Sequence, residues 1–142
     1  MKRAATAQRA CIVSMGWTLQ DVLAATGGVA AAPHDVVFPA VTTDSRHVEP
    51  GALFFALHGP LHDGHDYAIE AVRKGACGVV VDRALPDTGA AAVVRVADTL
   101  RALGDLAAWT RRRHAPCVIA VTGSNGKTTT KEMIAAICAA AD

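Results

Sequence analysis

The sequence predicts an α/β fold, and three observations carry that expectation. Apolar, β-prone runs alternate with helical patterns along the chain, as they do where helices cover a largely parallel sheet. One such run, Val118 to Val121, passes directly into a glycine-bearing turn and then a helix-forming stretch. Hydrophobic residues make up 51% and charged residues 19% of the 142, a balance that supports a packed core and argues against disorder. Aromatic residues are only 4%, so that core has to come from Ala, Val, Leu and Ile. Fourteen Lys and Arg stand against 13 Asp and Glu, a net charge of +1, which leaves no bulk positive charge to hold nucleic acid or an anionic membrane. No apolar run approaches the roughly 20 residues of a membrane-crossing helix. Cys11, Cys77, Cys117 and Cys138 form no CxxC pair, which fits a reducing, cytoplasmic setting.

In chain order, residues 1–16 read as a flexible N-terminal extension, with Met15 as an alternative start. Lys2, Arg3 and Arg9 faintly suggest a targeting segment, but Arg9 interrupts any apolar core. Thr18 with Asp21 makes a capping-box start, Leu19, Val22 and Leu23 form one apolar stripe, and Gly27-Gly28 stops the helix, which covers about 18–26. Val36 to Val41 is β-prone, but Pro39 reduces it to an edge or irregular strand. A polar loop, Thr42 to Arg46, and the turn Glu49-Pro50-Gly51 lead to a strand at Leu53 to Leu57. After the Gly59-Pro60 turn, Asp66 is placed to cap a helix from Tyr67 to Lys74 that Gly75 ends. Strands follow at Gly78 to Val81 and Ala91 to Val96, separated by the Leu85 to Gly89 loop. Asp98 then caps a helix reaching about Arg113, with Leu100, Leu103, Leu106 and Trp109 at helical spacing and Arg111 to Arg113 where a helix end favours cations. His114-Ala115-Pro116 breaks it, Cys117 to Val121 is a continuous apolar strand, and Thr128 to Ala141 is the last helix.

The strongest chemical signal lies at that last junction. In Thr122-Gly123-Ser124-Asn125-Gly126-Lys127-Thr128-Thr129, the two glycines let successive N–H groups converge on one anion, and the helix N-terminus adds partial positive charge. Lys127 is placed to reach β- and γ-phosphate oxygens, and Thr128 to offer a hydroxyl to Mg²⁺. The spacing is GxxGKTT; the general phosphate loop has a glycine where this chain has Val121. The plainer alternative is a glycine-rich strand-to-helix turn with an incidental lysine. His58, His62, Asp63, His65 and Asp66 crowd another loop, but without HExxH spacing or a Cys partner, and with Asp66 as a helix cap, they do not read as a metal site. Asp44-Ser45-Arg46 alone is most simply a turn with an arginine salt bridge.

Several motifs in one order resemble the Mur ligases, the ATP-dependent amide-bond-forming enzymes of peptidoglycan precursor synthesis. They are TTDSR (Thr42 to Arg46), PGALFFAL (Pro50 to Leu57), DGHDY (Asp63 to Tyr67), Gly75 to Asp82, and TGSNGKTTTKEM (Thr122 to Met133). The HDY, the Asp98 to Trp109 segment and the KEM look like the D-alanyl-D-alanine-adding branch more than the diaminopimelate- or lysine-adding one. The resemblance implies that 17–113 is an N-terminal domain holding the uridine-diphosphate end of a UDP-N-acetylmuramoyl-peptide, with 114–116 a linker. Residues 117–142 would then be the first strand, phosphate loop and helix of a truncated central ATPase domain. It assigns UDP contacts to Thr43, Ser45, Pro60, Leu61 and His62. ATP contacts fall to Gly123, Ser124, Asn125, Gly126, Lys127, Thr128 and Thr129, with Lys127 catalytic and Thr128 on nucleotide-bound Mg²⁺. The implied reaction joins D-alanyl-D-alanine to UDP-N-acetylmuramoyl-tripeptide through an acyl phosphate, in a cytoplasmic monomer. The resemblance also implies that this stretch alone is inactive. A differently specific Mur ligase, a stand-alone binding module and a small phosphate-loop kinase are the alternatives.

Overall fold

The computed structural model describes residues 16–30, 36–86, 88–89, 91–115 and 118–141. The expected extension up to Met15, and Pro116 and Cys117 at the expected linker and strand start, lie outside the described residues.

Strand β1 (Trp17–Thr18) runs straight into helix α1 (Leu19–Thr26). Thr18 Oγ1 accepts the Asp21 N–H at 3.1 Å, and the Asp21 carboxylate accepts the Thr18 N–H at 3.0 Å, so the capping box forms on both sides. Gly27 ends the helix in the left-handed region. The expected single strand around Pro39 is two short ones. β3 (Val37–Phe38) pairs antiparallel with β1, and β4 (Val41–Thr42) joins the main sheet beside β5 (Leu53–Phe55). Proline supplies no ladder donor, so the chain changes sheet there.

The main sheet has the order β2-β7-β6-β5-β4, with β2 (Val29–Ala30), β6 (Gly78–Val81) and β7 (Ala92–Arg95) completing it. β4 through β7 are parallel, and β2 closes one side antiparallel to β7. Two residues are too few to show alternation, so β2 left no mark in the sequence pattern.

Both faces of this sheet are covered, and the period of two decides which side chain meets which layer. Leu53, Phe55, Val80 and Val94 pack with Leu19 and Val22 of α1 and with Ala102 and Leu106 of α3 (Thr99–His114). Phe54, Val79 and Val81 face the other way, onto Ala68 and Ala71 of α2 (Ala68–Arg73) and Ala76. The second layer is built of alanines because α2 sits close against the strands. On α3 the buried positions are Thr99, Ala102 and Leu106. Leu100, placed in the apolar stripe by its spacing, is 68% exposed. Asp98 Oδ1 caps α3 by accepting the Arg101 N–H at 2.8 Å. At the other end the Arg113 guanidinium lies 4.9 Å over the Trp109 ring and donates to Asp21 Oδ1 at 2.8 Å, tying α3 to α1. Trp17 Nε1 donates to Thr110 Oγ1 at 2.8 Å in the same layer.

Of the strand expected over 117–121, the described residues 118–121 make no ladder: residues 118–126 are irregular, and α4 (Lys127–Ala141) follows. A strand exists only by pairing with a neighbour, and no strand of the sheet pairs with this run. No helix among the described residues is long and apolar enough to cross a membrane.

Candidate functional site

In a parallel sheet the loops after the strands share one edge, and ligands bind there. Here β4 delivers residues 43–46, β5 delivers 57–64 and β6 delivers Asp82 and Arg83. The first two loops enclose a groove of about 700 Å³ lined by Thr43, Ser45, Arg46, Phe54, Leu57, His58, His62, Gly64 and Tyr67, among others. Thr43, Ser45 and His62 therefore converge on one groove. Pro60 and Leu61 are exposed at the loop tip and do not line the groove.

The 43–46 loop holds its shape through local bonds. Thr42 Oγ1 accepts the Asp44 N–H at 3.1 Å, and Arg46 grips Asp44 with Nε at 2.9 Å and Nη2 at 2.8 Å. That grip, with the Arg46 backbone N–H, holds the Asp44 carboxyl well below the usual carboxylate range. The turn and salt bridge read from the residues are thus present and form the groove wall. Ser45 is buried, and its carbonyl accepts the Lys74 Nζ at 2.9 Å, while Lys74 also pairs with Glu70 at 2.6 Å. Lys74, at the end of α2, tethers the loop; nothing in its sequence spacing marks that role.

The opposite wall rests on Asp63. Its carboxylate, not that of Asp66, caps the 3-10 turn Gly64–Tyr67 by accepting the His65 N–H at 2.9 Å. That bond leads the causes that lower its pKa to about 2. Asp66 pairs instead with Arg83 at 2.9 Å, because the 3-10 turn moves the helix start to Ala68. Gly64 lies so close to the preceding loop that a Cβ there would be 2.6 Å from the Leu57 backbone nitrogen. His58, His65 and Asp82 bring ligand-type atoms within 4.8 Å of one another. His58 stands in the loop that the sequence crowds with histidines and acids, whereas Asp82 joins from another element, its one sequence signal being an acid that ends the apolar run of β6.

The phosphate loop is a separate feature. Gly123 and Gly126 have φ of 147° and 74°, backbone that favours glycine. Thr130 donates to the Gly126 carbonyl at 2.9 Å, so the N–H groups of Lys127 to Thr129 precede the first intrahelical bond. Lys127 Nζ turns back to the Gly123 carbonyl at 2.5 Å. Ser124 and Asn125 are exposed between the glycines. Free N–H groups, a cation and the Thr128 hydroxyl at one helix start suit a nucleotide phosphate with its Mg²⁺.

Comparison with known proteins gives two family matches. The family model described as "Mur ligase family, catalytic domain" matches residues 38–111, just over half the chain, and "Mur ligase middle domain" matches 121–142. The UDP-N-acetylmuramoyl-tripeptide--D-alanyl-D-alanine ligase of Escherichia coli is 47% identical over 103 residues, covering 72% of this chain and 22% of that protein. A UDP-N-acetylmuramoyl-L-alanyl-D-glutamate--2,6-diaminopimelate ligase of Syntrophomonas wolfei is 42% identical over 107 residues, covering 74% and 22%. The crystal structure of MurF from Acinetobacter baumannii superposes with a TM-score of 0.76 at 41% identity, over 87% of this chain and 28% of that one. The chain spans about a fifth of the length of the curated relatives it matches.

Proposed function

Because this chain belongs to the Mur ligase family, we propose that it is the part of a D-alanyl-D-alanine-adding ligase that holds a uridine-diphosphate precursor and the phosphates of ATP. The observation that carries the reading is the groove at the β4 and β5 ends. Its volume, about 700 Å³, suits a nucleotide-sized ligand, and Thr43, Ser45 and His62 offer it hydroxyl and imidazole groups. Ser45 can donate to a phosphate or uracil oxygen. Gly123 to Thr129 cradle the phosphates of ATP. Lys127 leaves the Gly123 carbonyl to neutralise charge on the transferred phosphoryl group, and Thr128 holds nucleotide-bound Mg²⁺. In the whole ligase the activated group is the carboxylate of UDP-N-acetylmuramoyl-tripeptide, taken through an acyl phosphate to the amide with D-alanyl-D-alanine. Alignment of that carboxylate with the phosphate supplies much of such a reaction's acceleration.

Calorimetry with UDP and the 142-residue chain tests the groove. Binding that Ser45→Ala weakens supports the assignment, and identical heats in the two proteins remove it. A second reading, the diaminopimelate-adding ligase, is kept by the Syntrophomonas relative. The two differ in the precursor each takes. Tighter binding of the UDP-muramoyl-tripeptide favours the first, and tighter binding of the dipeptide favours the second.

A further inference from the structure

Where the 58–64 loop meets the end of β6, four side chains bond to one another. His65 has 0% side-chain exposure. The backbone N–H of Asp82 points at its Nε2, 3.2 Å away, so that nitrogen accepts, and the ring's hydrogen lies on Nδ1, donated to Asp63 Oδ1 at 2.6 Å. Asp82 Oδ1, 3.1 Å from the same Nε2, then faces a lone pair. The Asp82 carboxylate takes its hydrogen from His58 instead, whose Nε2 is 2.8 Å from Oδ2. His58 stacks on His65 with ring centroids 4.8 Å apart, and its Nδ1 is 3.4 Å from Asp63 Oδ2.

A neutral His58 has one ring N–H, and Asp82 uses it. Its Nδ1 lone pair then confronts the Asp63 oxygen. One added proton turns that contact into an attraction, so a single imidazolium bridges the loop and the strand end. We propose that His58, Asp63, His65 and Asp82 form a positioning clamp for the 58–64 wall of the groove, and that a proton on His58 sets how firmly a nucleoside diphosphate is held there. The ligand half rests on the nucleotide reading above; the clamp itself does not.

The charged groups around His58 favour the proton. Asp63 and His65 face it from the loop and the 3-10 turn, and Asp82 from the end of β6. Arg83 opposes it, with Nη1 3.0 Å from Asp63 Oδ2 and Nη2 on Asp66. The hydrogen bond to Asp82 prevails and raises the His58 pKa above the ordinary 6.5. The bridge is therefore complete below 6.5 and lost as pH rises through the raised value.

The test uses the 142-residue chain, with UDP-N-acetylglucosamine calorimetry and amide hydrogen exchange at about pH 6 and about pH 8.5, on either side of the histidine range. This diphosphate is esterified at both ends and does not titrate there, and the uracil N–H ionises mainly above this range, so a severalfold pH dependence belongs to the protein. Affinity should fall about threefold to tenfold between the two conditions, the size of a pKa difference of up to one unit between bound and free chain. Exchange of the 58–64 amides, corrected for intrinsic rate, should quicken over the same interval. His58→Gln keeps one donor but cannot take the proton, so loop exchange should become flat, at the high-pH level, and the affinity should lose most of its pH dependence. His62→Gln removes the other imidazole that the groove offers the ligand and lowers the affinity, but exchange of the 58–64 amides should keep its pH dependence. A His58→Gln chain that retains the original pH dependence overturns the proposal, as does loop exchange that ignores pH. Absence of heat with the sugar nucleotide at both conditions would count against the ligand reading, and the exchange arm would still decide the clamp.

Discussion

Residues 16–115 and residues 118–141 obey the same sequence rules and end differently. In the first region Leu53, Phe54 and Phe55 are all buried, because β5 has strands on both sides and helices on both faces. In the second, Ile119, Met133 and Ile137 are 58%, 61% and 67% exposed. Yet α4 and the glycine turn before it are formed, while the apolar run ahead of them is not a strand. Helices and turns close their hydrogen bonds within a few residues, so local sequence suffices to draw them. A strand closes its bonds on another segment, and that partner has to be present. The phosphate loop thus carries its local shape by itself, whereas the groove's shape is a property of the whole sheet.

The contrast can be broken most directly by truncating one side chain in each region. Phe55→Ala empties a fully buried site and should cost about 3–5 kcal/mol in urea unfolding. Ile137→Ala should stay within about 0.5 kcal/mol, as an exposed substitution does. Equal costs would mean that α4 is packed as tightly as the sheet. Hydrogen exchange sharpens the same point without mutation: amides of β5 and β6 should be the slowest, and those of 118–126 and α4 among the fastest. Slow exchange throughout 118–140 in a dilute sample would place the boundary elsewhere.

Next in size is the cap of α1. Thr18→Ala removes one side of the capping box and should cost about 1 kcal/mol, again by urea unfolding. The remaining effect is electrostatic and confined to acid pH. Asp63 has its pKa lowered from 3.8 to about 2, so the stability it contributes is present above the unfolded value and lost as pH falls through about 2. Asp63→Asn should flatten the acid side of the melting-temperature curve in that window, and an unchanged acid limb would remove Asp63 from the account.

The sequence made the alternation of elements, both helix caps at Thr18 and Asp98, and the glycine geometry of the phosphate loop legible, because each is written within four or five residues. What it left hidden is non-local. Pro39 marked a disturbed strand, but only the pairing of Trp17 with Phe38 reveals that the chain passes between two sheets there. The 58–66 loop showed its histidines and acids, but Asp66 looked like the cap because a 3-10 turn cannot be told from a helix start by spacing. Lys74 and Asp82 reach the site from other elements, across 29 residues to Ser45 and 24 to His58. No periodicity in one segment encodes such contacts.

The aromatic side chains divide the molecule optically. Both tryptophans, Trp17 bonded to Thr110 and Trp109 beneath Arg113, belong to the layer of α1 and α3, and the single tyrosine, Tyr67, borders the groove. Among the described residues, 118–141 contain no chromophore of either kind. Indole emission during a melt therefore follows the packing of one helical layer, and tyrosine absorbance follows the groove wall. The phosphate loop stays dark to both, so it needs a reporter of its own, such as a dye on the exposed thiol of Cys138 in α4.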